Sequence, residues 1–318
     1  MPELPEPISH TVNAIYLVYE AKKDKERSYL GASTFGTECD RAFWYAFRHA
    51  AEPEKLEGRK RRLFQTGHRE EARIIEDLRA AGIEIEEQDP ATGQQWEITS
   101  LGGHLRGHLD GLASNVPEAP KARHVLEIKT HNEKSFKALT KDKVEKSKPG
   151  HYAQMQIYMH HTGVQRALYV AVNKNDDSLY VERVHYDAAV ALRLMARAER
   201  TIGAEITPPR LHDDPKSKAA FACNWCPALS ICHEGAWARR NCRTCISSTP
   251  VVDASDQGVW RCELLGKELS FAEQQAGCGK HIYLPSLVPG EQIDASEEAR
   301  TVTYKLASGE VWVDGGAK

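Results

Sequence analysis

In the stretch LEIKT (126–130) an acid and a base stand two residues apart. Alternate side chains of a β-strand share a face, so Glu127 and Lys129 point one way while Leu126 and Ile128 enter a core. Taken alone, such a pair is most often a surface ion pair. Asp110, in GHLDGL at the end of the preceding strand, changes that reading. Sixteen residues separate it from Glu127, and hairpin pairing of the two strands would bring them side by side. Two carboxylates and one ammonium at one point form a hard oxygen site for Mg2+ or Mn2+, ions that activate water for attack on phosphorus. The lysine orients that water or offsets developing negative charge.

The second chemistry is that of sulfur. CNWCPALSIC (223–232) places Cys223, Cys226 and Cys232 in a C-x2-C-x5-C pattern. CRTC (242–245) adds Cys242 and Cys245, VWRCEL adds Cys262, and CGKH (278–281) adds Cys278 and His281. The N-terminal MPELPEPISH has no basic region followed by an apolar stretch, so no secretory signal is expected. Eight cysteines in a chain read as intracellular point to metal ligation rather than disulfides. Four thiolates are the usual complement of zinc or an iron–sulfur cluster. The C-x2-C and later C-x2-H resemble a pair of zinc knuckles over about 236–290. Cys242, Cys245 and Cys278 are expected to bind Zn2+, with Cys262 and His281 competing for the fourth place. The fourth partner of the 223–232 trio is not settled by spacing.

These residues need a scaffold. An apolar content of 41% and a charged content of 27% suit a globular chain, and no run of 18 apolar residues suggests a membrane span. A net charge of −3 does not mark a nucleic-acid binder, but charge is concentrated locally. KLEGRKRR (55–62) is basic, as is the stretch holding Lys134, Lys137, Lys141, Lys143, Lys146 and Lys148. Either run reads as a solvated surface, or as the phosphate-facing stripe of an otherwise acidic protein. Helices are expected over 9–24, 38–50, 62–80, 150–162 and 187–204, and strands over 83–88, 94–100, 104–114, 124–130, ALYVAVNK and SLYVERVHY. This order predicts one α/β domain whose regular elements end near Thr207, where TPPR breaks the chain. The division expected is 1–235 for that domain with its flanking cysteines, and 236–318 for a cysteine-bearing module and tail.

Asp110, Glu127 and Lys129 resemble the D…(D/E)xK signature of the PD-(D/E)xK nuclease superfamily, with Leu109 where the motif has proline. Gly67 and Glu71 in TGHREEARIIEDL resemble the G-x3-E motif of its RecB-like, lambda-exonuclease and YqaJ group. Gln154 and Tyr158 in HYAQMQIYM resemble the Q-x3-Y motif. The resemblance implies a restriction-endonuclease-like core with a central mixed sheet flanked by helices. It implies a metal set of Asp110, Glu127, Ile128 and Glu71, and a catalytic set of Asp110, Glu127, Lys129, Glu71, Gln154 and Tyr158. Glu70 and Glu76 are alternatives to Glu71. His104 and His108 read as structural or DNA-facing, and Tyr152 as packing or DNA-facing.

Iron–sulfur members of the group carry one cysteine before the nuclease core and three after it, which implies Cys39, Cys223, Cys226 and Cys232 as ligands of a 4Fe–4S cluster. Such a staple spans nearly 200 residues, and ligation must offset several kcal/mol of loop entropy. The alternative is a free Cys39 and a zinc site completed by His233. The function implied is a metal-dependent DNA exonuclease of phage recombination or repair, in the cytoplasm of a bacterial or phage-infected cell, with DNA and a single-strand annealing or recombination protein as partners. A CRISPR-adaptation nuclease and a catalytically idle DNA-binding module are the other readings. Arg239, Arg240 and Arg243, around the first knuckle, are expected either to face phosphates or to form a solvated hinge.

Overall fold

The computed structural model describes residues 9–22, 26–253 and 256–316. Its helices are α1 (His10–Glu20), α2 (Asp40–Phe47), α3 (Gly58–Ala80), α4 (Glu133–Ser147), α5 (Pro149–Thr162), α6 (Ala188–Gly203), α7 (Leu229–His233) and α8 (Phe271–Ala276). The first eight strands are β1 (Leu30–Gly31), β2 (Glu84–Glu86), β3 (Glu97–Ser100), β4 (Leu105–His108), β5 (Gly111–Ser114), β6 (His124–His131), β7 (Arg166–Asn173) and β8 (Leu179–His185). Six more follow in the tail: β9 (Ser248–Pro250), β10 (Trp260–Cys262), β11 (Lys267–Leu269), β12 (Gly290–Ser296), β13 (Thr301–Leu306) and β14 (Val311–Gly315).

A five-stranded mixed sheet in the order β2-β5-β6-β7-β8 is the centre of the chain. Only β6 and β7 run parallel; the other neighbours are antiparallel. Both faces are covered, so β6 and β7 are almost continuously buried. Leu126, Ile128, Leu168, Val170 and Val172 pack with Ile74 and Ile75 of α3 on one face. Val125, Ala167, Tyr169 and Ala171 pack under α4, α5 and α6 on the other.

Two expectations are corrected here. The stretch 104–114 is not one strand: β4 pairs with β1 and β3 in a separate small sheet, and β5 joins the central sheet. The chain changes sheets at Leu109–Asp110, helped by Gly111 at φ 155°, where a Cβ would lie 3.1 Å from the Glu86 carbonyl oxygen. The lysine-rich stretch, assigned no element from sequence, is α4. Asn132 caps it by accepting from the Ser135 N–H (2.9 Å), and Phe136, Leu139 and Val144 anchor it, while Lys134, Lys137 and Lys141 face solvent. Its apolar residues are too few among lysines to show a clear period. The helix expected over 9–24 ends at Glu20, and residues 23–24 lie outside the described residues.

The tail is built from two three-stranded antiparallel sheets, β11-β10-β9 and β12-β13-β14. Trp44, Tyr45 and Ala50 of the N-terminal part share one buried cluster with Tyr283, Leu284, Leu287, Val288 and Tyr304 of the tail. Cys242, Trp260, Cys262 and Leu269 belong to the same core cluster as the residues under α5.

Candidate active site and cysteine centres

Where the chain crosses between sheets, Asp110 turns towards β6. Its Oδ2 accepts a hydrogen bond from the Ile128 N–H at 2.7 Å, a position prepared by the pairing of Gly111 with Leu126. Glu127 is fully buried and ion-paired with Lys129, whose Nζ also donates to the Ile128 carbonyl at 3.2 Å. Beyond Lys129, neither Glu127 oxygen has a hydrogen-bond partner among the described residues. Burial pushes the Glu127 carboxyl up to about 7; Lys129 works against this and Asp110 adds to it. Burial also raises Asp110, opposed by Lys129 and the Ile128 N–H. Lys129 is raised as well: burial opposes its charge, but Glu127 and Asp110 outweigh that cost.

Glu71 joins from α3. Burial raises its carboxyl, and the nearby Asp110 raises it further. Of its alternatives, Glu70 is committed to Arg73 at 2.7 Å, and Glu76 is exposed. Gln154 and Tyr158 lie one turn apart on α5. The Gln154 Nε2 donates to the Tyr158 hydroxyl (3.1 Å), which donates to the His108 carbonyl (2.8 Å), tying α5 to the chain just ahead of Asp110. Gly107 makes this possible, since a Cβ there would stand 2.4 Å from Tyr158 Cε1. His108 itself is exposed beside Glu97 (3.4 Å). His104 is structural: it is buried, bonded through Nε2 to the Val251 carbonyl, and set edge-on to Phe47 and Trp260. Tyr152 packs half-buried against the core.

Among the described residues, no three His, Cys, Asp or Glu side chains meet as a formed metal-binding group. The donor chemistry nevertheless fits a hard divalent cation. Glu127 is a buried carboxylate with oxygens unsatisfied except by Lys129, and two further carboxylates raise its proton affinity. Like charges gathered in this way are relieved by a cation.

Cys39, Cys223, Cys226 and Cys232 all line one cavity of about 780 Å³, and His233 lies on the same wall. Burial pushes the Cys226 thiol up, and Cys39, Cys232 and Cys223 add to the shift. Chain elements nearly 200 residues apart therefore converge here: Cys39 caps α2, Cys223 and Cys226 flank a tight turn, and Cys232 lies in α7. In the tail, burial pushes Cys242 up to about 11, and Cys245, Cys278 and Cys262 add to the shift in that order. Of His281, Nε2 lies 3.3 Å from the Thr244 hydroxyl, Nδ1 is buried with no hydrogen-bond partner among the described residues, and the ring stands edge-on to Tyr283. All eight cysteines are free thiols.

Of the arginines near the first knuckle, Arg240 is exposed, whereas Arg243 meets neither expectation. Arg243 is 1% exposed, so it neither faces phosphate nor forms a solvated hinge. It donates to the Phe47 carbonyl (3.0 Å), the Ser28 carbonyl (2.8 Å) and Gln274 Oε1, joining the tail to the N-terminal elements. Arg243 and Arg48 lie 5.0 and 5.2 Å from the Trp260 ring centroid, and Arg239 ion-pairs with Glu26 at 2.6 Å. Sequence reasoning missed Arg48 and Trp260; only their convergence with Arg243 marks them.

Three solved structures are similar to part of this chain at low identity. The crystal structure of SSO0001 is 15% identical, with a TM-score of 0.41 over 70% of this chain and 96% of that one. LHK-Exo in complex with dAMP is 16% identical, with a TM-score of 0.37 over 57% and 88%. The alkaline exonuclease LHK-Exo from Laribacter hongkongensis is 18% identical, with a TM-score of 0.34 over 55% and 87%. No curated protein matches the sequence. The profile of the PD-(D/E)XK nuclease superfamily, however, matches residues 14–233, a span that contains Glu71, Asp110, Glu127, Lys129 and the Gln154–Tyr158 pair. By that match over more than half its length, the chain belongs to the PD-(D/E)XK nuclease superfamily.

Proposed function

We propose that this chain is a metal-dependent DNA exonuclease that hydrolyses phosphodiester bonds at the Asp110–Glu127–Lys129 site. The observation that carries the reading is the union of Asp110 with the catalytic strand. A carboxylate from the sheet crossing, a buried carboxylate and a lysine are held together by one hydrogen bond to main chain and one ion pair. A DNA-binding module has no need of a fully buried, almost unsatisfied glutamate. Asp110, Glu127, Glu71 and the Ile128 carbonyl are the groups that would hold Mg2+ or Mn2+. Such an ion, when bound, supplies Lewis acidity at the phosphate and lowers the pKa of water.

The protein's own part is positioning and charge. Lys129 presents an ammonium whose protonation Glu127 and Asp110 enforce, and it orients the attacking water and offsets charge as it builds on phosphate. The Gln154–Tyr158–His108 connection keeps the Asp110 segment at a fixed distance from α5. The exposed lysines of α4, which follows β6 directly, and the exposed Arg59, Arg62 and Arg69 of α3 supply phosphate contacts in this reading.

Cys39, Cys223, Cys226 and Cys232 form the 4Fe–4S site in this reading, and their shared cavity supports it. Cys242, Cys245, Cys262 and Cys278 form a zinc site without His281 in this reading, supported by the joint influence of Cys245, Cys278 and Cys262 on the Cys242 thiol. Residues 1–235 then constitute the nuclease part and 236–318 a zinc-bearing part packed onto it. Recombination or repair is the role proposed, with a single-strand annealing protein as partner. The test is incubation of the protein with end-labelled single- and double-stranded DNA in Mg2+ or Mn2+. Progressive shortening from an end supports the reading, internal nicking replaces exonuclease by endonuclease, and no metal-dependent cleavage refutes it.

A further inference from the structure

Beside the catalytic strand runs a hydrogen-bonded chain that the motifs named above do not include. Ser135 Oγ lies 2.9 Å from His131 Nδ1, and His131 Nε2 lies 2.9 Å from the Tyr169 hydroxyl. The same hydroxyl lies 2.8 Å from His151 Nδ1. His131 sits two residues past Lys129 on the same face of β6, and Tyr169 is the register partner of Glu127 on β7. His151 precedes Gln154 by one turn of α5, on the face that also carries Tyr158, and its ring stacks on Tyr169 at 5.8 Å. Tyr169 is fully buried and His131 nearly so, whereas His151 is half-buried.

The proton count of this chain is restricted. Burial, together with Lys129, holds His151 at about 3, and burial with Lys148 and Lys129 holds His131 at about 4, so each ring carries one proton at neutral pH. The phenol has one proton for two imidazole neighbours. With the buried phenol proton also donated within the chain, only two arrangements satisfy every link. In one, Ser135 donates to His131, His131 to Tyr169, and Tyr169 to His151, which leaves an N–H on His151 Nε2. In the other every bond is reversed, and His151 Nε2 presents a lone pair.

Resting on the nuclease reading above, we propose that His151 contacts the DNA phosphate at the Asp110–Glu127–Lys129 site through Nε2, as a neutral hydrogen-bond donor. Tyr169 and His131 are its positioning residues. Its Nδ1 is committed to Tyr169, so Nε2 is the nitrogen available to a ligand. The ring stacks on Tyr169, the register partner of Glu127, which places His151 over the same face of β6 and β7 as the reaction centre. An anion there selects the arrangement with the outward N–H, and the buried chain fixes it because one reversed link requires reversing all. A neutral donor adds a directed bond to phosphate without adding positive charge beside a divalent cation.

The experiment compares His151→Ala, His151→Gln and Tyr169→Phe with the unmodified chain. Cleavage of an end-labelled oligonucleotide in Mg2+ gives kcat and KM, anisotropy of a labelled oligonucleotide in EDTA gives affinity, and 15N spectra of labelled histidine report the tautomer. His151→Ala is expected to lower kcat about 10- to 100-fold, and His151→Gln, which retains an N–H donor, to recover part of that loss. Tyr169→Phe, isosteric in the core, is expected to lower kcat several-fold at nearly unchanged KM. The Nε2 signal of His151 is expected to be of the protonated type with oligonucleotide bound, and to lose that bias in Tyr169→Phe. Wild-type kcat and affinity in all folded variants overturn the inference; should His151→Ala not fold, the same result in the other two does so. If the unmodified chain cleaves nothing, the nuclease reading fails, and the tautomer and EDTA affinity still decide whether His151 meets phosphate.

Discussion

Asp110 Oδ2 accepts a 2.7 Å hydrogen bond from the Ile128 N–H, so a residue at a sheet crossing is held by the backbone of the strand that carries Glu127 and Lys129. The bond explains how three residues from two stretches of chain keep one geometry. It also separates the structural role of Asp110 from its chemical one. Asp110→Asn retains an acceptor for Ile128, so folding should survive while the cation is held less well. Cleavage should fall by about two to four orders of magnitude, as should that of Lys129→Ala, with circular dichroism unchanged. Wild-type rates in either variant would refute the site.

The pH dependence of metal binding follows from Glu127. Its folded-state carboxyl titrates near 7, above the 4.5 of an unperturbed glutamate. The folded state therefore binds this proton more tightly than the unfolded state, and the group's contribution becomes destabilising as pH rises from about 4.5 through 7. Asp110 and Glu71 shift in the same direction. A cation competes with these protons, so Mn2+ should raise the melting temperature more at pH 8 than at pH 6. Equal increments at both values would contradict the account.

Gly107→Ala tests the seat of Tyr158. The added Cβ would meet Tyr158 Cε1 at 2.4 Å and the Ala32 Cβ at 2.9 Å, inside a packed core. A cost of about 1–3 kcal/mol is expected. Displacement of Tyr158 should also loosen the Asp110 segment, so activity should fall even at temperatures where the variant stays folded. Calorimetry and cleavage assays on the same preparation decide this.

Arg243 makes the tail part of the fold. Removing its side chain would leave the Phe47 and Ser28 carbonyls and Gln274 without their shared donor, and would empty space between Trp260 and Phe271. Arg243→Ala should destabilise the protein by about 3–5 kcal/mol in a single cooperative transition. The salt dependence of DNA binding should not change, because Arg243 does not reach solvent. Deleting residues 242–318 should unfold the remainder, since it removes Tyr283, Leu284, Leu287, Val288 and Tyr304 from the cluster around Trp44. A deletion product that stays folded and monomeric would argue against a shared core.

The two cysteine sets should differ in metal. Protein purified without oxygen is expected to be brown, absorbing broadly near about 400 nm as iron–sulfur proteins do, and to contain zinc as well. Cys39→Ala should lose the colour but keep the zinc, and Cys262→Ala should do the reverse. His281→Ala should keep both. A colourless protein with zinc at both sites would replace the cluster by a second zinc.

The superfamily was legible in the sequence because its signature is local. Glu127 and Lys129 are two apart on one strand, Gln154 and Tyr158 four apart on one helix, and a β- or α-repeat alone puts each pair on one face. The expected hairpin between the strands of Asp110 and Glu127 is present as the β5–β6 pairing. The choice among Glu70, Glu71 and Glu76 was not local, because α3 offers several carboxylates and only packing of Ile74 and Ile75 on the sheet decides which one meets Asp110. The break at Leu109–Asp110 was hidden for a similar reason: 104–114 has strand character throughout, and the change of sheet depends on partners 50 and more residues away, such as Tyr158 at Gly107. The fate of Arg243 was furthest from reach. A sequence shows an arginine's charge but not its burial, and here three carbonyl or amide acceptors and an aromatic ring, supplied by four distant segments, turn an apparent phosphate contact into an internal joint.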